Sequence, residues 1–250
     1  MLHCPVFPSV MSPTNFRVAI LQNYPISAKG GELMIENISK LVLNSKPDVE
    51  IKVYAPIQGD AFPDLDNNDL IILTGGPFNL LEDEKPSWVT ETLDFIKAAI
   101  TDRAKPKILG ICWGQQAIAL ALGGSMGELK TGPCIGVDTI SLTSGGATFF
   151  NARSLDIHKH HKLAVIDIGP HLCCLALNNE ILLSKNNQVL TFQGHPELDA
   201  ILSQLLMDTD DPSSSVRPEP KTVIKAIDAP HDGEMIFVTI MKWASGEITP

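Results

Sequence analysis

The sequence predicts an α/β fold in which a mostly parallel central sheet has helices on both faces and the second half is rich in β-hairpins. In the first half, short apolar runs typical of buried strands alternate with segments whose apolar residues recur every three or four positions. In the second half, several short strand-like runs follow one another, separated by Gly, Pro and Asn. The first pattern favours parallel strands joined by helices, and the second favours hairpins attached to the same sheet.

The elements of the first half follow in order along the chain. Strand patterns occupy residues 16–21, 51–55, 69–74 and 107–112. Helical patterns contain residues 33–42, 89–100 and 115–122. The second of these helices is expected to begin at Pro86 and Ser87, and the third to end at Gly123 and Gly124.

The second half is predicted to contain mainly strands and then two helices. Its strand patterns occupy residues 134–142, 163–168, 173–177, 181–183 and 189–193. Its helical patterns occupy residues 198–207 and 235–243. Between these helices, the acidic, Pro- and Ser-rich residues 208–220 have the composition of an exposed loop.

Length and composition limit the domain organisation. The chain has 250 residues, of which 44% are hydrophobic, which suits one domain or at most two small ones. Residues 1–15 contain three prolines and little periodicity, so we expect a flexible N-terminal arm. Residues 16–250 show no linker composition and no repeat, and we expect them to form a single domain.

Charge and hydropathy exclude two classes of partner. The chain carries 19 Lys and Arg against 29 Asp and Glu, a net charge of −10, so a basic surface for nucleic acid is not expected. No apolar run approaches the roughly 20 residues that cross a bilayer, and residues 1–15 lack the pattern of a signal peptide. We therefore expect a soluble, cytoplasmic protein that binds neither nucleic acid nor membrane.

The five cysteines argue against both a disulfide framework and a zinc site. They lie at positions 4, 112, 134, 173 and 174, with no C-x-x-C pair among them. Adjacent Cys173 and Cys174 would point to opposite faces of a strand. His158, His160 and His161 resemble a metal cluster, but no carboxylate or thiol stands at ligand spacing. We expect reduced thiols, no bound metal and no cofactor.

One cysteine has the surroundings of a nucleophile. In Gly110-Ile-Cys112-Trp-Gly114 the cysteine lies between a strand and a helix, with a glycine two residues away on each side. This is the cysteine form of the nucleophile elbow, a turn too sharp to admit a Cβ on its flanks. Such a turn exposes the sulfur at a helix N-terminus, where the thiolate is favoured. By itself the pattern also fits a buried core cysteine in a tight turn.

A base and its orienting partner occur at the end of a later strand. A thiol nucleophile needs a base that accepts its proton and a carboxylate that fixes the tautomer of that base. Gly194-His195-Pro196-Glu197 contains both groups. We expect an extended segment here, because residues two apart then share one face and the carboxylate can lie behind the ring. Alone, however, His-Pro-Glu is also a common turn.

Together the two motifs resemble those of the class I glutamine amidotransferases, the type with a Cys-His-Glu triad. The resemblance rests on Gly-Ile-Cys-Trp-Gly-Gln-Gln at 110–116, on Gly-His-Pro-Glu at 194–197 and on Leu-Thr-Gly-Gly-Pro at 73–77. It covers residues 16–246, and it is closest to free-standing fungal and plant members that are similar to γ-glutamyl peptidases. The resemblance implies the flavodoxin-like fold of that family.

The resemblance also implies roles for individual residues. Cys112 is then the nucleophile, His195 the base and Glu197 its orienting partner. Gln116 matches a position that holds the substrate, and His161 matches a histidine that lines the substrate pocket. That histidine is usually followed two residues later by an acid, where this chain has Leu163.

The oxyanion of the tetrahedral intermediate needs two N–H donors. The elbow supplies the backbone N–H of Trp113. The resemblance places the second donor in the turn of Gly75 and Gly76, at the end of a neighbouring strand, where parallel sheets bind ligands. The simpler interpretation of Gly75-Gly76-Pro77 is that it only begins the loop that follows the strand.

The sequence therefore predicts a cysteine hydrolase or transferase that acts on the γ-carbonyl of a small molecule, glutamine or a γ-glutamyl compound. Two alternatives remain. The protein could be a glutaminase subunit that delivers ammonia to a separate synthase, or a relative that has lost catalysis and acts as a binding or regulatory subunit. Because no synthetase domain is fused to the chain, a stand-alone γ-glutamyl peptidase is favoured.

Overall fold

A computed structural model describes residues 15–100, 106–208 and 226–249. Except for Asn15 and Asp208, the predicted N-terminal arm and the predicted loop of residues 208–220 lie outside these ranges. Within these ranges, none of the helices combines the length and the apolar composition of a membrane-spanning segment.

A central sheet organises the fold and confirms the predicted α/β class. Within the described residues it has seven strands in the order β2-β1-β3-β4-β11-β10-β9. These strands are β1 Phe16–Leu21, β2 Val49–Tyr54, β3 Leu70–Leu73, β4 Lys107–Ile111, β9 Leu172–Cys174, β10 Ile181–Ser184 and β11 Val189–Phe192. The first five in sheet order are parallel, whereas β10 is antiparallel to both of its neighbours. The parallel part has the strand order of flavodoxin-like folds.

Helices cover both faces of this sheet, as the sequence predicts. They are α1 Gly31–Ser45, α2 Ser87–Ala99, α3 Trp113–Ala121, α4 Ser144–Phe150, α5 Ala200–Met207 and α6 Gly233–Ala244. The apolar stripes of α1 and α6 pack on one face, and those of α2 and α3 pack on the other. Predicted and observed bounds differ by a few residues at most, as is usual for helix ends.

The central strands are buried because both of their faces are covered. Along β1, Val18 and Ile20 pack into the core under α1 and α6, whereas Ala19 and Leu21 pack into the core under α2 and α3. All four residues of β3 are buried. Alternation of this kind explains the continuous apolar runs in the sequence, since a strand with helices on both sides has no polar face. Strand β2, at the edge, is more exposed.

The second half adds two small antiparallel pairs within the described ranges. In one, β5 Ser125–Glu128 pairs with β8 Leu163–Asp167, and in the other β6 Cys134–Ser141 pairs with β7 Ser154–His161. The sequence patterns did not predict β5, β7 or α4. Strand β7 is missed because four polar residues end it, and α4 because it begins with Ser-Gly-Gly. The side chain of Thr143 caps the start of α4, where it accepts a hydrogen bond from the Gly146 N–H at 3.2 Å.

The two adjacent glycines of α4 should respond differently to replacement by alanine. A Cβ on Gly146 would overlap the carbonyl oxygen of Leu175, whereas one on Gly145 would meet its nearest atom at 3.8 Å. We expect Gly146→Ala to lower the free energy of unfolding by about 1–3 kcal/mol, as overpacking does. Gly145→Ala should leave it unchanged or raise it by up to about 1 kcal/mol, because alanine favours a helix.

Urea unfolding of the three proteins measures this difference. Equal destabilisation by the two variants would contradict the described packing of α4 against Leu175.

Candidate active site

The site lies at the carboxyl ends of three adjacent strands. Gly75 follows β3, Cys112 follows β4, and His195 follows β11, and the sheet order places these strands side by side. Ligands bind at this edge of a parallel sheet.

Cys112 occupies a strained turn between β4 and α3. Its backbone has φ 51° and ψ −102°, a conformation that L-residues rarely adopt. Its N–H donates to the carbonyl oxygen of Phe192 at 2.7 Å, and its own carbonyl accepts from the N–H of Gln116 at 3.1 Å. Contacts of this kind hold the residue at the N-terminus of α3 while its backbone is strained.

Both flanking glycines are sterically required. A Cβ on Gly110 would lie 2.6 Å from the Ile118 side chain and 2.8 Å from the carbonyl oxygen of Gly114. A Cβ on Gly114 would lie 2.5 Å from the carbonyl oxygen of Leu73. The chain can therefore turn from β4 into α3 only because these two positions lack side chains.

His195 and Glu197 form a buried pair. His195 Nδ1 lies 2.7 Å from Glu197 Oε1, and both side chains are almost fully enclosed. The predicted extended segment is wrong here, because residues 195–197 form a turn that closes with a Leu198 N–H bond to the His195 carbonyl at 3.4 Å. The turn, rather than a strand face, brings the carboxylate behind the ring.

The pair favours the charged form of the histidine. Burial lowers the pKa of His195, but the Glu197 carboxylate and the Cys112 sulfur outweigh this effect and raise the pKa to about 10. The described residues give His195 Nε2 no hydrogen bond of standard geometry, although the ring and the Cys112 sulfur are close enough to interact. Because Glu197 engages Nδ1, Nε2 is the ring nitrogen that remains available to exchange a proton.

Gly75 lies against the side chains of Cys112 and His195. A Cβ on this residue would be 2.9 Å from His195 Cε1 and 3.8 Å from Cys112 Cβ. A side chain at position 75 would therefore displace the imidazole. The structure brings Gly75, Cys112 and His195 together, which the order of these residues along the chain does not reveal.

Asn23, which the sequence patterns did not single out, holds the turn that contains Gly75 and Gly76. Its N–H donates to Thr74 Oγ1 at 3.0 Å, and its Nδ2 donates to the Thr74 carbonyl at 3.1 Å. Gly76 packs so closely on the Asn23 carbonyl that a Cβ would overlap it. An asparagine just after an apolar strand pattern was the signal that the sequence offered for this role.

Trp113 contributes its backbone and its ring to different parts of the fold. It is the first residue of α3, so its N–H belongs to the helix turn whose N–H groups lack intrahelical partners. Its indole is buried and lies 5.4 Å from the ring of Trp88, in the core between α2 and α3.

Gln116 and His161 meet at one backbone carbonyl. Gln116 Nε2 donates to the carbonyl oxygen of Leu163 at 3.1 Å, and His161 Nδ1 donates to the same oxygen at 3.0 Å. Gln116 Nε2 also contacts Gln193 Oε1 at 3.3 Å. Burial and the Lys159 ammonium group lower the pKa of His161 to about 3, so its ring is neutral. Leu163 therefore contributes its backbone carbonyl, and not its side chain, to the contact between Gln116 and His161.

Strand β7, which the sequence did not predict, holds the backbone of His195. The carbonyl oxygen of His158 accepts a hydrogen bond from the N–H of His195 at 2.8 Å. A Cβ added to Gly194 would lie 2.9 Å from the same oxygen. The His158 ring is buried and bonded to Ser203 Oγ at 3.0 Å. Burial is the main cause that lowers the pKa of His158, to about 4, so its ring is also neutral.

The chemistry available at this site is that of a thiol, an imidazole and a carboxylate. Across residues 15–100, 106–208 and 226–249, no group of three or more His, Cys, Asp and Glu side chains could hold a metal ion. Cys112, Cys134, Cys173 and Cys174 are free thiols.

Comparison with known proteins shows the family to which the chain belongs. A family model described as glutamine amidotransferase class-I matches residues 31–203. The chain is 56% identical to the glutamine amidotransferase-like protein chry6 of Gibberella zeae, over 95% of this chain and 98% of that protein. It is 29% identical to gamma-glutamyl peptidase 2 of Arabidopsis thaliana, over 58% of this chain and 60% of that protein.

The fold is similar to that of a solved structure. It resembles a glutamine amidotransferase from Thermotoga maritima with a TM-score of 0.74 and 17% identity, covering 92% of this chain and 99% of that one.

Replacing Glu197 by Gln should lower the pKa of His195. The carboxylate is the main group that raises this pKa, and an amide keeps the size but not the charge. We expect the His195 ring of the natural protein to remain protonated through neutral pH and that of Glu197→Gln to lose its proton at lower pH. Titration of the imidazole Cε1–H signals by NMR measures the change.

If His195 titrated at the same pH in both proteins, the carboxylate would not be the group that holds the proton on the ring.

Proposed function

We propose, since the chain belongs to the class I glutamine amidotransferase family, that it cleaves the γ-amide bond of a γ-glutamyl compound through a thioester on Cys112. The contact between Gly75, Cys112 and the His195–Glu197 pair carries this proposal. It supplies a nucleophile, a proton carrier and an adjacent backbone turn in one place.

In the first half of the reaction, the Cys112 thiolate attacks the γ-carbonyl carbon and a C–S bond forms. The charge that develops on the carbonyl oxygen would be stabilised by the N–H of Trp113 and by the turn of Gly75 and Gly76. His195 then transfers its Nε2 proton to the leaving nitrogen, the C–N bond breaks, and the amine departs. The raised pKa of His195 suits this role, because the ring enters the step protonated.

In the second half, the neutral imidazole accepts a proton from water, and the resulting hydroxide attacks the thioester. The C–S bond breaks, glutamate leaves, and the thiolate and imidazolium are restored. Glu197 keeps Nδ1 protonated throughout, as its 2.7 Å contact allows.

Gln116 and His161 are proposed to line the pocket for the glutamyl part of the substrate. Gln116 lies in the first turn of α3, and its N–H donates to the carbonyl oxygen of Cys112 at 3.1 Å, so the two residues are close together. Both hydrogens of the Gln116 amide nitrogen are directed at internal acceptors, which leaves its Oε1 to accept from a substrate.

The similarity to a gamma-glutamyl peptidase favours small γ-glutamyl peptides as substrates. Glutamine with ammonia release, for delivery to a separate synthase, is the competing assignment. A relative that has lost catalysis is disfavoured, because the elbow strain and the buried His195–Glu197 pair are costly features that a binding subunit does not need.

Glutamate release by the purified protein tests the proposal, with glutamine, glutathione and a γ-glutamyl dipeptide offered in parallel. We expect release from the peptides well above that from glutamine, and a loss of at least about a thousandfold in Cys112→Ala. Cys173→Ala, which removes another free thiol, is the matched control and should keep full activity.

Release mainly from glutamine, with ammonia, would replace the peptidase assignment by that of a glutaminase subunit. Equal rates for the natural protein and Cys112→Ala on every substrate would refute the enzymatic proposal.

A further inference from the structure

A buried ion pair lies beside the proposed pocket. Lys159 of β7 and Glu180, which precedes β10, form this pair, and their side chains are 1% and 15% exposed. The lysine is thus enclosed, while the carboxylate is the more accessible member. The proposed reaction steps use neither residue.

Stability alone does not explain this pair. Burying two charges costs several kcal/mol per ion, and well-packed apolar residues of similar volume often stabilise a core as well or better. A buried lysine paired with a half-buried glutamate at the proposed catalytic edge of the sheet is therefore a candidate for a binding role.

Backbone and side-chain bonds connect the pair to the nucleophile. The carbonyl of Glu180 accepts the N–H of Gln193 at 2.8 Å. Gln193 Oε1 in turn contacts Gln116 Nε2 at 3.3 Å, and Gln116 lies one turn of α3 after Cys112. On the other side, Lys159 is close enough to His161 to affect its charge.

Two buried polar groups in this network lack a partner among the described residues. They are the Nε2 donor of Gln193, a residue 2% exposed, and the Nε2 acceptor of His161, a residue 9% exposed. Buried polar groups without partners are rare in folded proteins, and they concentrate where a ligand or water completes them. Here a donor and an acceptor lie beside a cation and an anion.

That combination matches the charged end of a γ-glutamyl group, which carries an α-ammonium and an α-carboxylate. We propose that Glu180, held by Lys159, recognises the α-ammonium group of the substrate and selects γ-glutamyl compounds over acyl chains that lack it. This inference rests on the proposed function, because it places the γ-carbonyl at Cys112.

The dimensions agree with this assignment. Four bonds of about 1.5 Å separate the γ-carbonyl carbon from the α-nitrogen, a span of about 5 Å when extended. Glu180 precedes β10, which lies two strands from β4 in the sheet, at the same edge. Because neighbouring strands lie about 4.8 Å apart, the two backbones are offset by about 10 Å, which the glutamyl span and the two side chains bridge together.

Two substrates that differ only in the α-amino group test the inference: γ-glutamyl-alanine and glutaryl-alanine, with alanine release as the common readout. We expect the natural protein to favour γ-glutamyl-alanine at least tenfold in kcat/KM. Glu180→Gln should lose at least tenfold on γ-glutamyl-alanine and less than threefold on glutaryl-alanine, so that the preference collapses.

A second variant distinguishes loss of recognition from misfolding, which Glu180→Gln could cause because it leaves Lys159 buried without its counter-ion. Lys159→Met combined with Glu180→Leu removes both charges, and it should show the same collapse of preference. Glu91→Gln, a surface acid on α2, is the matched control and should keep the natural preference.

Equal losses on both substrates in the two variants, or an undiminished preference, would overturn the role of Glu180 while leaving Cys112-dependent cleavage intact. If the natural protein cleaves neither substrate faster than Cys112→Ala does, the proposed function fails and this inference fails with it.

Discussion

The strained backbone of Cys112 is the constraint on which the arrangement of the site depends. A residue with φ 51° and ψ −102° costs of order 1–3 kcal/mol and persists only where its surroundings enforce it. Here the close packing of Gly110 on α3 and of Gly114 on β3 enforces it. The same packing directs the sulfur to the sheet edge, where Gly75 and His195 meet it. Any relaxation of the turn would separate the three groups.

The arrangement of the site depends, second, on the electrostatic interaction between His195 and Glu197. Enclosing His195 disfavours its charged form, and the Glu197 carboxylate reverses that preference. Neighbouring histidines are not affected in this way: in the described part of the chain, neither His158 nor His161 is hydrogen-bonded to a carboxylate, and burial lowers their pKa values. One edge of the sheet therefore contains a charged imidazole next to neutral ones. In the proposed reaction, this difference lets His195 carry the proton while His161 offers an acceptor.

The sequence predicted best those features that depend on neighbouring residues. Continuous apolar runs, helical periodicity and the glycine spacing around Cys112 are local, and the structure contains the corresponding strands, helices and turn. Strand β7 was missed because its end is polar, although His158, Lys159 and His161 are buried there by contacts distant in the chain. Asn23, the carbonyl of His158 and the Lys159–Glu180 pair depend on tertiary contacts between residues 21 to 51 positions apart. No spacing rule predicts such contacts.

The central claim, that Cys112 is the nucleophile activated at this edge, is tested most directly by covalent labelling. A glutamine analogue with an electrophilic carbon in place of the amide, 6-diazo-5-oxo-L-norleucine, is incubated with the protein, and peptide mass spectrometry locates the adduct. We predict a single adduct on Cys112, formed much more slowly in His195→Ala, with Cys134, Cys173 and Cys174 unmodified. Labelling spread evenly over these thiols, or equal rates with and without His195, would contradict the account.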